Sequence, residues 1–263
     1  MHRLGRYIRF CVNPFLAGES DGYNSYSAKP CGEGLALYME LGVELAGKLE
    51  AETGFVVNVS DIDRVVRAEA VPIFSEHIKS EYAERRHVDL AGLAELMRVV
   101  CGKLSGRFGD GTISKLSLKL NPNREIALDS DKAKEVYFSE KFEFAATHKL
   151  WNDSFSEAEN FERFGKCANP NGHGHNYIVE VTVKGQAGGL GVADIEKVVA
   201  GELIEMVDHK NLNADVEEFL DINPTVENIA VFAWEKLKGK FGGAELHCVT
   251  VWETDKTYCS YYG

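Results

Sequence analysis

The stretch Cys167-Ala168-Asn169-Pro170-Asn171-Gly172-His173-Gly174-His175-Asn176-Tyr177 decides how this chain folds and what it can do. His173 and His175 stand one residue apart, so on a β-strand both imidazoles point to the same face. Tyr177, Val179, Val181 and Val183 continue that face and predict a half-buried strand to about Lys184. Upstream, Phe142, Phe144, Ala146 and His148 alternate in the same way and predict a neighbouring strand. Facing positions on adjacent antiparallel strands lie about 5 Å apart. His148 can therefore join His173 and His175. Three neutral imidazoles with an open fourth position form a zinc site of the catalytic kind.

Working outward, acid–base groups surround this patch. Cys167 precedes His173 in a loop whose Asn169, Pro170 and Gly172 are turn residues, which holds the thiol near the metal. A nearby cation would lower its pKa and make it a usable base. Asp208-His209 follows a helix and can orient an imidazole for proton transfer. Glu253 alternates onto the apolar face of Val249 and Val251, where a carboxylate is costly unless partnered. A heterocycle offering paired N–H donors would satisfy it.

The rest of the second half reads as an α+β unit. Ile195, Val198, Val199, Leu203 and Met206 recur at helical spacing. Thr225 is a good N-cap for a second helix carrying Ile229, Ala230, Ala233, Trp234 and Leu237 inward. Strands follow at about Leu246–Thr254 and Tyr258–Tyr262. Shifted by 133 residues, the chain overlays on itself. Val59-Ser60-Asp61-Ile62-Asp63-Arg64-Val65-Val66 meets Val192-Ala193-Asp194-Ile195-Glu196-Lys197-Val198-Val199, and Lys103-Leu104-Ser105-Gly106-Arg107-Phe108 meets Lys236-Leu237-Lys238-Gly239-Lys240-Phe241. An internal duplication is expected. The units would be residues 1–133 and 134–263, joined at the short polar stretch Asp129-Ser130-Asp131-Lys132.

Composition excludes several classes. The net charge is −12. Residues 134–263 carry −10 of it and residues 1–133 carry −2, with no basic cluster to offset the acid. An acidic surface repels a nucleic-acid backbone. No apolar run is long enough for a membrane span, and the N-terminus lacks a secretory pattern. Six scattered cysteines fit a reduced, cytoplasmic protein better than a disulfide framework.

The residues around the histidines resemble a known family. Phe164-Gly165-Lys166-Cys167 through Tyr177 looks like the signature of the 6-pyruvoyl-tetrahydropterin synthases. Asp208-His209-Lys210-Asn211-Leu212, Asn223-Pro224-Thr225-Val226-Glu227-Asn228 and Trp252-Glu253-Thr254-Asp255 resemble its later motifs, in order, across about 137–263. The resemblance implies the tunnelling fold, a four-stranded antiparallel sheet with two helices on one face that oligomerises into barrels. It implies a zinc (Zn2+) lyase that converts 7,8-dihydroneopterin triphosphate to 6-pyruvoyl-tetrahydropterin and triphosphate. His148, His173 and His175 would hold the metal, Cys167 would be the base, and Asp208 with His209 the proton relay. Glu253 would anchor the pterin, helped by Thr225 and Glu227 from a neighbouring subunit. A sister activity, the 6-carboxytetrahydropterin synthase of queuosine biosynthesis, shares these residues. The six-residue gap from Cys167 to His173 favours the pyruvoyl type.

The first copy departs from the pattern. The 133-residue offset sets Phe15 against His148, Ser75 against Asp208, Glu76 against His209, Gly92 against Thr225 and Leu120 against Glu253. Locally, Gly32-Glu33-Gly34-Leu35 best fits Gly172-His173-Gly174-His175. This copy is expected to bind no zinc and to act as a built-in partner. Three tandem chains would then form a homo-oligomer that copies a six-subunit assembly.

Overall fold

A computed structural model describes residues 1–16, 24, 26–32, 34–132, 134–189 and 191–263. The chain divides into two compact units: Met1–Phe138 with Gln186–Leu190, and Ser139–Gly185 with Gly191–Gly263.

The first unit runs β1 (His2–Val12), β2 (Leu37–Gly47), α1 (Val59–Glu69), α2 (Val71–Ala83), α3 (Leu90–Leu104), β3 (Thr112–Asn121) and β4 (Arg124–Asp129). β1, β2, β3 and β4 pair antiparallel in that order. Odd positions of β2 point inward, and Leu41, Val43 and Leu45 are buried with Ile8, Phe10, Ile62, Phe74 and Met97. Each such side chain contributes about 1.5–3 kcal/mol by leaving water. Three helices form here, where the tunnelling-fold resemblance implied two. Pro72 sits at the start of α2, and its missing N–H breaks the helical ladder after Ala70.

The second unit runs from Ser139 within β5 (Val136–His148) through α4 (Glu157–Phe164), β6 (His173–Gly185), α5 (Val192–Val199), a π turn at Ala200–Ile204, α6 (Glu205–Val207), β7 (Lys210–Asn211), α7 (Leu212–Asp215), α8 (Val226–Leu237), β8 (Ala244–Thr254) and β9 (Thr257–Tyr261). β5 lies beside β6, β6 pairs antiparallel with β8, and β8 with β9. β7 pairs parallel with β5 through Ala146 and Thr147. The alternation read from sequence holds at Phe144, Ala146 and His148, buried on β5, and at Tyr177, Val179, Val181 and Val183 on β6, while Phe142 is only partly buried. Thr225 caps α8, its hydroxyl accepting from Asn228 N–H. The helix expected over 195–206 is interrupted by the π turn.

Both units carry a β-bulge at a matching place. It falls between Glu44 and Leu45, facing Lys115 and Ile113, and between Thr182 and Val183, facing Cys248 and Leu246. Matching the bulges relates β2 to β6 by 138 positions and β3 to β8 by 133. The five-position difference is absorbed where residues 48–58 connect β2 to α1 while residues 186–191 connect β6 to α5. A single 133-residue offset therefore does not hold at the second strand. Leu35 and Leu37 stand against His173 and His175, a correction of two positions to the local alignment, whose Glu33 lies outside the described residues. Among the described residues, no helix is long and apolar enough to cross a membrane.

Candidate active site

His148 ends β5, and His173 and His175 open β6 on the same inward face. One ring nitrogen from each lies within 4.8 Å of those of the other two. His148 is buried, with Nδ1 2.8 Å from the carbonyl oxygen of Pro224. A carbonyl only accepts, so Nδ1 carries the proton and Nε2 presents a lone pair. That Nε2 sits 3.2 Å from His173 Nε2. Burial, ahead of the other influences, pushes the His148 pKa down to about 4, so the ring is neutral at ordinary pH. Burial also lowers His175. Among the described residues, buried His173 Nδ1 and His175 Nε2 have no hydrogen-bond partner. Two ring nitrogens facing each other, with a third orphaned beside them, fit a bound cation. The donor set, three imidazoles, is one that could hold a metal ion.

Glycines make this convergence possible. Gly172 has φ +71°, and a Cβ there would meet the His148 carbonyl oxygen at 3.0 Å. A Cβ on Gly174 would press on Thr147 Cγ2 at 3.3 Å. The loop bearing Cys167 is anchored by Leu150 N–H donating to the Cys167 carbonyl at 2.9 Å. It is also anchored by α4, whose Ser156 and Glu159 form a reciprocal capping box. Fully buried Asn160 donates to the carbonyls of Asn152, Phe155 and Ser156.

Glu253 reaches the same place from β8: its Oε1 lies 3.5 Å from His148 Nε2 and 3.7 Å from His175 Nε2. The half-buried Cys167 thiol is pushed up by burial, then by the Glu253 charge. Buried Tyr177 stacks on Phe144 at 4.9 Å and lies against His175 and His148. Its hydroxyl has no partner among the described residues. Burial, then Glu253 and Cys167, raise its pKa.

Sequence reasoning did not assign roles to Tyr177, Asn160 or the Pro224 carbonyl. Tyr177 was read only as one more inward residue, and a backbone oxygen leaves no mark in side-chain pattern. The Asn223-to-Asn228 motif acquires a physical meaning here. Asn223 Oδ1 accepts from Trp151 N–H, Pro224 orients His148, and Asn228 Nδ2 donates to the Asn223 carbonyl. The segment clamps the exit of β5.

Asp208 and His209 stand against β5 at Ala145. Asp208 Oδ1 accepts from Ala145 N–H at 2.9 Å, and Oδ2 meets His209 Nδ1 at 2.9 Å. The Ala145 amide first, then His209, holds the Asp208 carboxyl below the usual range. His209 is 82% exposed and has φ +56°. It lines a cavity of about 390 Å3 with Ala146, Thr147, Gly174, His175 and Asn176, so one of the three imidazole-bearing residues borders the same cavity. Thr225 is engaged in capping α8, and exposed Glu227 on its first turn is felt by Cys259.

Residues 137–263 match the family described as 6-pyruvoyl tetrahydropterin synthase. The chain is 42% identical to human 6-pyruvoyl tetrahydrobiopterin synthase over 134 residues, which is 49% of this chain and 92% of that one. This chain belongs to the 6-pyruvoyl tetrahydropterin synthase family. The Drosophila melanogaster synthase is 38% identical over 134 residues, covering 49% of this chain and 80% of its own length. A solved 6-pyruvoyl tetrahydropterin synthase from Caenorhabditis elegans is 38% identical, covers 49% of this chain and 96% of itself, and superposes with a TM-score of 0.46. The family match coincides with the half that carries the three imidazoles, Cys167 and Glu253.

Proposed function

We propose that this chain is a zinc-dependent carbon–oxygen lyase that converts 7,8-dihydroneopterin triphosphate to 6-pyruvoyl-tetrahydropterin, releasing triphosphate. The convergence of His148, His173 and His175 beside Glu253 and the Cys167 loop, in a chain of this family, carries the reading. Bound by the three imidazoles, zinc would acidify the side-chain hydroxyls of the substrate and stabilise developing enolate charge.

The chain's own residues do the rest. Glu253 accepts the paired N–H donors of the pterin ring and fixes its angle. Cys167 removes a side-chain proton, and Asp208 with His209 passes the second proton that the tautomerisation requires. Loss of triphosphate and redistribution of hydrogen along the side chain balance without a redox cofactor. His209 and His175 border one cavity of about 390 Å3, which supports a proton relay acting beside the imidazoles. Thr225 and Glu227 would be contributed by a neighbouring copy. Residues 134–263 would be the catalytic domain. Residues 1–133 would be a metal-free duplicate, a reading supported by the matched bulges and by Leu35 and Leu37 at the histidine positions. Three tandem chains would form the assembly, working in the cytoplasm.

The test is incubation of zinc-loaded protein with 7,8-dihydroneopterin triphosphate and identification of products by mass, which separates pyruvoyl from carboxy products. Cys167→Ala should keep its metal and lose at least about 100-fold in turnover. Full activity in that variant removes the thiol from the mechanism.

A further inference from the structure

A cavity of about 580 Å3 opens in the first unit, lined by the ends of β2 and β3, by α2 and α3, and by the turn between those helices. Its wall is apolar: Leu37 and Met39 on β2, Leu120 on β3, Ile78 and Tyr82 on α2, Leu93 on α3. The bulge register says what this place is. Leu37 and Met39 hold the positions of His175 and Tyr177, and Leu120 holds that of Glu253. The cavity is thus the counterpart of the catalytic pocket, with each of these polar strand residues replaced by an aliphatic one. Those three side chains can neither ligate a metal nor accept the N–H pair of a pterin, so the family's substrate would leave its donors unsatisfied there.

The rim is basic. Arg85, Arg86 and His87 line the mouth. Arg86 is held by Glu81 and Glu84. Arg85 is exposed, and its guanidinium has no hydrogen-bond or ion-pair partner among the described residues. Its backbone is left-handed, with φ +57°, and its N–H donates to the Tyr82 carbonyl at 3.0 Å, which fixes the turn at the cavity mouth.

We infer that the first unit binds a small amphipathic anion in this cavity, a hydrocarbon or aromatic body with one carboxylate. The body lies against Leu37, Met39, Ile78 and Leu120, and the carboxylate meets Arg85 with His87 beside it. The volume falls in the roughly 300–1,000 Å3 range of small-ligand sites. An unpaired guanidinium at the mouth of an apolar wall selects an anion over a neutral lipid, because charge-assisted bonds to a carboxylate are the stronger ones. The ancestral pocket has been kept as a cavity and its chemistry exchanged.

Decanoate and decanol, titrated calorimetrically into the zinc-loaded full chain, test this. Decanoate should saturate a single site per chain. Leu37→Trp, at a strand end that is already 39% exposed, should fill the mouth and weaken decanoate at least about tenfold. Arg85→Asn, which tolerates the left-handed backbone, should weaken decanoate about tenfold and leave decanol within about twofold. Lyase turnover, read in parallel, should not change in either variant. Absence of saturable decanoate binding overturns the inference, as does equal weakening of both probes by Arg85→Asn. An assembly that Leu37→Trp dissociates and decanoate leaves intact also overturns it, by making the occupant a second copy.

Discussion

Gly172 shows how much a single backbone position carries. With φ +71° and the His148 carbonyl 3.0 Å from where a Cβ would stand, alanine there is strained both conformationally and sterically. Gly172→Ala should lose about 1–3 kcal/mol by chemical denaturation and weaken metal retention against a chelator. His148 sets a pH dependence in the metal-free protein. Its folded pKa, about 4, lies below the ordinary 6.5 because burial disfavours the charged ring. The unfolded chain therefore takes up a proton first as pH falls, and stability drops between pH 6.5 and about 4, then levels. The contribution approaches about 3 kcal/mol across that window. Comparing the metal-free wild type with His148→Gln by denaturation at several pH values isolates it, and an identical slope in the two refutes the assignment.

At the scale of elements, the segment from Asn223 to the start of α8 links His148 to the last helix. Pro224 fixes the tautomer of His148 through its backbone, and Asn228 steadies that backbone by donating to the Asn223 carbonyl at 2.9 Å. Outer partners of this kind typically alter metal affinity by about 10- to 100-fold. Asn228→Ala should therefore weaken zinc binding about tenfold in a competition titration while leaving the three imidazoles in place. Unchanged affinity would reduce the motif to a helix cap. The strands and α8 were legible in sequence because a period of two and a capped period of 3.6 survive in any environment. The π turn at Ala200–Ile204 and the break at Ala70 were not, since each depends on local hydrogen-bond competition that hydrophobic pattern does not record.

For the whole molecule, the described residues hold one cluster of three histidines that could hold a metal ion, and the proposed function predicts one ion per chain. Elemental analysis of purified protein should give that ratio, and a ratio of two would mean that the first unit holds metal through residues other than Leu35 and Leu37. Light scattering should return the mass of three chains, and a lone monomer would contradict the assembly. The sequence similarity read at α1 and after α3 keeps a constant offset. Matching the bulges of β2 and β6 shifts the local alignment at the second strand by two residues, because the connection lengths differ.

The sequence alone determined that three imidazoles meet on one face, since a His-Gly-His strand beside an alternating partner ending in His148 leaves little geometric freedom. It also determined the family, through motifs whose residue types are dictated by the chemistry. Tertiary structure decided what depends on backbone groups and on faces. It showed that a proline carbonyl orients His148, that Asp208 is held by the Ala145 amide and paired with His209, and that the first unit contains an apolar cavity. A backbone oxygen carries no sequence signature, and an offset in strand register moves every side chain without changing a residue.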